Sequence, residues 1–297
     1  MRRILPATLI CLALTAGWIR PAPFPEQDPQ AGPPLPELDG FLQEVRLRLR
    51  SDQLLLSQYT YTEKQTMRRL DGKGKVSSVE ERVYEVYPSL EEDLNYRRLV
   101  SENGKPRNPK DLAKSDRDHD RKAQEWARKL EREGTDERAR RLAKEAEEKR
   151  KEDRAIDEML ALYRIRMTGR EVLDGHDAIL LEFEPRTGFK PRTREGKVLA
   201  KIAGKAWVCE ADYEVIRVEV RLIDTISFGL GLLARLNKGA TAEFQRRKLN
   251  DEIWLPAEAR FTGTGRLLLL KGVRINATSE FSDYLKFSVE TRIQYRK

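Results

Sequence analysis

The feature that most narrows what this chain can fold into is an alternation of apolar and polar residues, repeated segment after segment. In "GKAWVCEADYEVIRVEVRLID" Ile216, Val218, Val220 and Leu222 fall on one side and Arg217, Glu219 and Arg221 on the other. "AILLEFEP" alternates through Ile179, Leu181 and Phe183, and "DEIWLPAEARF" through Ile253, Leu255, Ala257, Ala259 and Phe261. Val273, Ile275, Ala277 and Phe281 continue the pattern near the C-terminus, and Tyr59, Tyr61, Met67, Val79, Val83 and Tyr87 carry it near the N-terminus. A period of two places alternate side chains on opposite faces of a β-strand. The segments are punctuated by Asp71-Gly72, Asn103-Gly104, Asp174-Gly175 and Asn250-Asp251, residue pairs that favour tight hairpin turns. Eight or more long antiparallel strands in succession predict a curved sheet, because flat sheets of that width are disfavoured.

Other segments have a different character. Met1-Arg2-Arg3 precedes a mostly apolar stretch from Ile4 to Ile19, the arrangement of a secretory signal peptide over residues 1–20. The stretch falls short of the roughly 20 apolar residues that a transmembrane helix needs. Residues 21–36 hold Pro21, Pro23, Pro25, Pro29, Pro33, Pro34 and Pro36, an extended tether without a core. The folded domain is expected over 37–297. It opens on a helix, with Leu38, Phe41, Leu42, Val45 and Leu49 on one stripe. Residues 108–160 form a charged insertion in which acid precedes base at i, i+4: Glu125 with Lys129, Asp136 with Arg140, Glu137 with Arg141, Glu145 with Lys149. Its apolar stripes run through Trp126 and Leu130, then Leu142, then Ile156, Met159 and Leu160, with a break at Gly134-Thr135. The stripe fails between Glu147 and Ala155, which excludes a sustained coiled coil. The pattern predicts a solvated helical arm docked at its ends, with residues 112–156 burying too little to matter to the core.

The chemistry-bearing residues exclude more than they suggest. Without the leader only Cys209 remains, so neither an intrachain disulfide nor a paired-cysteine zinc site can form. His119 lies in a run of charges and His176 follows a turn; both are expected at the surface. Glu182 and Glu184 alternate with Leu181 and Phe183, which makes them the wet face of a sheet rather than a hydrolytic pair. No nucleophile elbow, phosphate loop or dinucleotide fingerprint is present. No enzymatic activity, cofactor or metal is expected. The formal charge is +8 and the isoelectric point about 9.4. For an exported chain without an RNA-binding sheet motif, that charge points away from nucleic acid; the default reading is a basic surface that only keeps the chain soluble, and the partners it would suit are an anionic membrane surface, another envelope polyanion or an envelope protein.

Between two of the alternating segments lies "TISFGLGLLARLNKGA", longer than a hairpin needs. Leu232, Leu233 and Leu236 fall on one helical face, so an amphipathic turn is expected. With Phe228 and Leu230 they would form an apolar lid.

The succession "GREVLDGHDAILLEFEP", "GKAWVCEADYEVIRVEV", "DEIWLPAEARF" and "FSDYLKF" resembles the LolA/LolB-like superfamily of bacterial envelope proteins, which includes lipoprotein-sorting carriers and the sensor domain of RseB. The resemblance follows order and spacing from about 164 to 287, is weaker over 38–105 and is absent over 106–162. It implies a mainly β fold with helices: a curved antiparallel sheet forming an incomplete barrel around an apolar cavity, here with a charged helical insertion. The lid-closing arginine of the sorting carrier has no counterpart in this sequence. On this pattern Phe183, Ile216, Val218, Phe244, Ala257, Ala259 and Phe261 would line the cavity, with Phe228, Leu230, Leu232, Leu233 and Leu236 over its mouth. The expected function is binding of a lipid or a lipoprotein acyl chain in the periplasm. An alternative is an envelope sensor or interaction protein acting through the charged arm.

Overall fold

The computed structural model describes residues 33–48, 56–228, 234–267 and 272–286. The residues expected to form a leader and a tether lie outside them up to residue 32. From Leu35 onward the chain belongs to one unit.

Helix α1 (Leu38–Arg48) starts where the Glu37 carboxylate accepts hydrogen bonds from the Asp39 and Gly40 amides, at 2.9 and 2.7 Å. These bonds satisfy amides that have no partner inside the helix. Strands β1 (Tyr59–Leu70), β2 (Val76–Tyr87), β3 (Tyr96–Glu102) and β4 (Lys105–Pro106) follow as hairpins. The charged insertion is two helices, α2 (Pro109–Glu131) and α3 (Thr135–Leu162). Asn108 caps α2 by accepting from the Lys110 amide, with Pro109 in the first turn, and Gly134 begins α3. Then come β5 (Tyr163–Leu173), β6 (His176–Pro185), the short helix α4 (Arg194–Leu199), β7 (Ile202–Cys209) and β8 (Val215–Leu222). The remaining described strands are β9 (Ile226–Phe228), β10 (Ala234–Leu236), β11 (Thr241–Leu249), β12 (Ile253–Leu267) and β13 (Val273–Lys286).

All the strand pairings are antiparallel, in the order β4-β3-β2-β1-β13-β12-β11-β8-β7-β6-β5, with the β9–β10 hairpin joined to β12. The turns use the residues that a positive φ requires: Asn103 at 51° with Gly104 at 73°, and Asp174 at 48° with Gly175 at 81°. The N-terminal hairpins attach to the last strand, with Tyr59 opposite Lys286 and Leu70 opposite Arg274. The sheet does not close, since β5 and β4 are its two edges among the described residues. Register shifts in the β1–β13, β1–β2, β2–β3, β5–β6, β7–β8 and β11–β12 pairs add local twist and bend. The result is the mainly β, incomplete barrel with a charged helical insertion that the sequence pattern and its resemblance imply.

Two packed layers flank β6 and β7. On one face Phe41 and Val45 of α1 pack on Ile179, Leu181 and Val208. On the other, Ala178, Leu180, Trp207, Cys209, Ile216 and Trp254 form a second cluster. There Trp207 donates from its indole nitrogen to Glu171 at 2.8 Å, and Trp254 to Asp212 at 2.9 Å. Buried indoles need such partners. Burial pushes the thiol of the free Cys209 above its usual range. His176 meets the edge of Trp254 at 4.9 Å. His119 departs from its expected surface setting: its ring stacks on Tyr96 at 4.4 Å.

The arm is held by charges that a sequence reading treats as solvated. Arg98 on β3 is 7% exposed. It donates to both carboxylate oxygens of Asp116 on α2, at 2.8 and 3.0 Å, and to Glu85 at 2.9 Å. Tyr96 donates its hydroxyl towards Ser115 and Asp116, and burial raises its pKa to about 12.

Candidate functional site

The α1-bearing face of the sheet encloses a hollow of about 300 Å³ whose lining is apolar throughout. Its floor is Leu181 and Phe183 of β6, Ala206 and Val208 of β7, and Val215, Val218 and Val220 of β8. Its roof is Leu42 and Val45 of α1 with Met159 and Leu160 of α3. The helices supply these residues because each carries its apolar stripe at a spacing of three or four, which keeps the stripe on one side.

Three local features shape the hollow. Gly204 of β7 lies opposite Phe183, and a Cβ there would come within 2.1 Å of the Glu219 carbonyl oxygen and 2.9 Å of the Phe183 ring. Glycine therefore leaves room for the ring and the neighbouring strand to approach this closely. Tyr163 meets Phe183 edge-on at 5.0 Å and donates its hydroxyl to the Leu199 carbonyl at 2.9 Å. That bond ties α4 to the wall, and burial lifts the Tyr163 pKa to about 12. Finally, Arg46 of α1 pairs with Asp157 of α3, so the two roof helices are linked. Glu158 extends the linkage by accepting from the Thr193 hydroxyl and from the Thr193 and Arg192 amides, which hold its carboxyl below its usual range.

A second hollow of about 310 Å³ adjoins the first through Val218 and Val220, which line both. Its lining continues across Ala242 and Phe244 of β11, Ala259 and Phe261 of β12, and Ala277 and Ser279 of β13, with Glu243 and Arg260 also on it. The small alanines on three successive strands are what leave the room.

The seven residues expected on the cavity divide. Phe183 and Val218 line the roofed hollow, and Val218, Phe244, Ala259 and Phe261 line its neighbour. Ile216 does not join them. A bulge pairs Trp207 with Arg217 and Val208 with Val215, so Ile216 is the extra residue and turns to the Trp207–Trp254 face, where it is 2% exposed. Ala257 lines neither hollow. It sits in the β11–β12 irregularity, where Gln245 pairs with Glu258 and Arg246 with Pro256. One inserted residue reverses the parity of everything beyond it.

Of the residues expected on the amphipathic turn, only Leu236 lies among the described residues, and it is in a strand rather than a helical turn. Phe228 ends β9 opposite Ala234, and Leu236 in β10 pairs with Ile226 on one side and Gly265 on the other. The segment is a β-hairpin, and Leu236 packs near Leu222, Ile226 and Ala240. The Phe228 side chain, Leu230, Leu232 and Leu233 lie outside the described residues. Among the described residues the roof is Leu42, Val45, Met159 and Leu160. Their stripes are visible in the sequence, but nothing local says which surface they cover.

Among the described residues no group of three or more histidine, cysteine or carboxylate side chains could hold a metal ion. No helix among them is long and apolar enough to cross a membrane.

No protein-family model and no curated protein matches the chain. Solved structures do. An outer membrane lipoprotein-sorting protein domain from Vibrio parahaemolyticus is 11% identical over 85% of this chain and 93% of that one, with a TM-score of 0.31. The MucA/MucB complex of Pseudomonas aeruginosa matches at 9% identity over 82% and 93%, with a TM-score of 0.21. A LolA superfamily protein from Nitrosomonas europaea matches at 8% over 86% and 96%, with a TM-score of 0.30. At these scores the fold rests on this chain's own strand order.

Proposed function

We propose that this chain is an exported envelope protein that shelters the apolar part of a lipid or lipoprotein acyl chain in the hollow beneath α1 and α3, without acting on it chemically. The observation that carries this reading is the lining: fifteen residues, none of them charged at neutral pH, under a roof of two helices. The hollow's size is at the lower end of ligand sites. Burying on the order of ten methylene groups at about 0.8 kcal/mol each gives roughly 8 kcal/mol before the cost of association. A reversible carrier needs an affinity of that modest kind. The adjoining hollow over β8, β11, β12 and β13 would take a longer chain. The periplasmic location follows from reading residues 1–20 as a signal peptide.

Native mass spectrometry of the purified protein, followed by solvent extraction, tests this reading. Adducts with the masses of fatty acyl lipids, released by extraction, support it. A protein that stays free of adducts after incubation with excess phospholipid and lipopeptide would exclude it.

A second reading, an interaction protein acting through α2 and α3, is favoured by one observation. Helix α2 buries none of its residues, and Leu130 and Leu142 stand exposed on the arm. A stable protein partner lost on shortening the arm would support that reading over the first.

A further inference from the structure

Four exposed arginines gather at one end of the sheet, where β1 turns into β2, β12 leads to β13 and β9 leads to β10. Arg235 on β10 lies directly opposite Arg266 on β12. Arg274 on β13 pairs with Thr264, two residues from Arg266 and on the same face. Leu70 lies opposite Arg274, which puts Arg68 of β1 on that face as well. With strands about 4.8 Å apart, a row across four of them spans about 15 Å. Lys73 and Lys75 sit exposed in the adjoining turn, where the Asp71 carboxylate is engaged by their backbone amides.

The row lacks the compensation that the same face has elsewhere. On β5 to β8, β11 and β12 Arg166 pairs with Glu182, Lys205 with Glu182, Arg217 with Glu219 and Glu243, and Arg260 with Glu258. Among the described residues no ion pair joins Arg68, Arg235, Arg266 or Arg274 to a carboxylate. Like charges set directly opposite on neighbouring strands destabilise a sheet, yet Arg235 and Arg266 face each other.

We propose that this row is a docking surface for a phospholipid bilayer with anionic headgroups. Guanidinium groups match phosphate oxygens in a two-pronged fashion, and each cation near an anionic membrane adds to its attraction. One feature favours a bilayer over a soluble polyanion. Val76 and Val79 are more than half exposed beside the row, with Val79 directly opposite Arg68. The proposal does not depend on the hollow being a ligand site.

Flotation of the full chain with phosphatidylcholine vesicles, with and without phosphatidylglycerol, tests it. The difference between the two vesicle types isolates the charge contribution from whatever residues 4–19 add. The parent should prefer the anionic vesicles, and Arg235→Gln/Arg266→Gln/Arg274→Gln should lower that binding about fivefold per arginine, roughly a hundredfold together. The triple variant should fold at least as stably as the parent, since it removes a repulsion. Arg138→Gln/Arg140→Gln/Lys149→Gln, an equal charge change on the exposed arm, should lower binding much less. Equal losses in the two triple variants would overturn the proposal. So would binding to soluble inorganic polyphosphate with no preference for the anionic vesicles.

Discussion

Replacing Asp116 with alanine should release the charged arm from the sheet at a measurable cost. Arg98 is 7% exposed, and Asp116 accepts two of its hydrogen bonds, at 2.8 and 3.0 Å. Removing one partner of a buried pair typically costs about 3–5 kcal/mol, because the other charge is left without compensation. Glu85 stays within 2.9 Å of the guanidinium, so the lower end, about 3 kcal/mol, is expected. The Tyr96 hydroxyl can still donate to Ser115, so its contribution changes little. Urea unfolding gives the stability change, and hydrogen exchange over α2 shows whether the helix has come away. Arg121→Ala is the control: its partner Asp118 is exposed, and such pairs contribute less than about 1 kcal/mol. If Asp116→Ala costs no more than Arg121→Ala, with α2 still protected, the ion pair does not hold the arm. The same geometry bears on the arm as a whole. A Gly/Ser linker in place of 112–156 removes Ser115, Asp116 and His119 together and should destabilise the sheet, whereas one in place of 123–150 should not.

Partial burial of His119 against Tyr96 lowers its pKa from 6.5; Asp120 and Asp116 oppose the shift and Lys122 reinforces it. The stability it contributes is therefore present above about pH 6.5 and lost as pH falls through the depressed value. His119→Phe, which keeps the stack, should flatten the parent's stability profile between pH 7 and 5; an unchanged profile would remove the histidine from the linkage. Gly204→Val should destabilise by at least about 2 kcal/mol, since its Cβ has no space against the Glu219 carbonyl, and a neutral result in thermal unfolding would show that β7 can shift. Ile216→Ala should cost about 2–5 kcal/mol in denaturant without changing acyl-probe affinity. A selective loss of affinity would place Ile216 on the hollow after all.

What the sequence discloses and what it hides divide along physical lines. The hairpins at Asn103-Gly104 and Asp174-Gly175 are legible because turn chemistry and alternation are local. The two helices of the arm are legible because their i, i+4 pairs and Gly134 are local too. Ile216 and Ala257 mislead because a single bulge reverses facing, and a bulge leaves no mark in an apolar alternation. Arg98 and Asp116 read as solvated charges because their pairing joins residues 18 apart through tertiary structure. The junction of β1 with β13 is more distant still. Leu42, Val45, Met159 and Leu160 were visible as helical stripes, but their place over β6–β8 depends on where the sheet curves.

The most direct measurement is a titration of the protein with a fluorescent fatty-acyl probe, comparing the parent with Ala206→Phe and Val218→Trp. Ala206 and Val218 both face the roofed hollow, and larger side chains there should fill it while the sheet keeps its fold, as circular dichroism would show. Saturable binding by the parent at micromolar probe, weakened at least tenfold in both folded variants, is the expected result. Equal binding by all three proteins, or none by the parent, would contradict an acyl-chain site beneath α1 and α3.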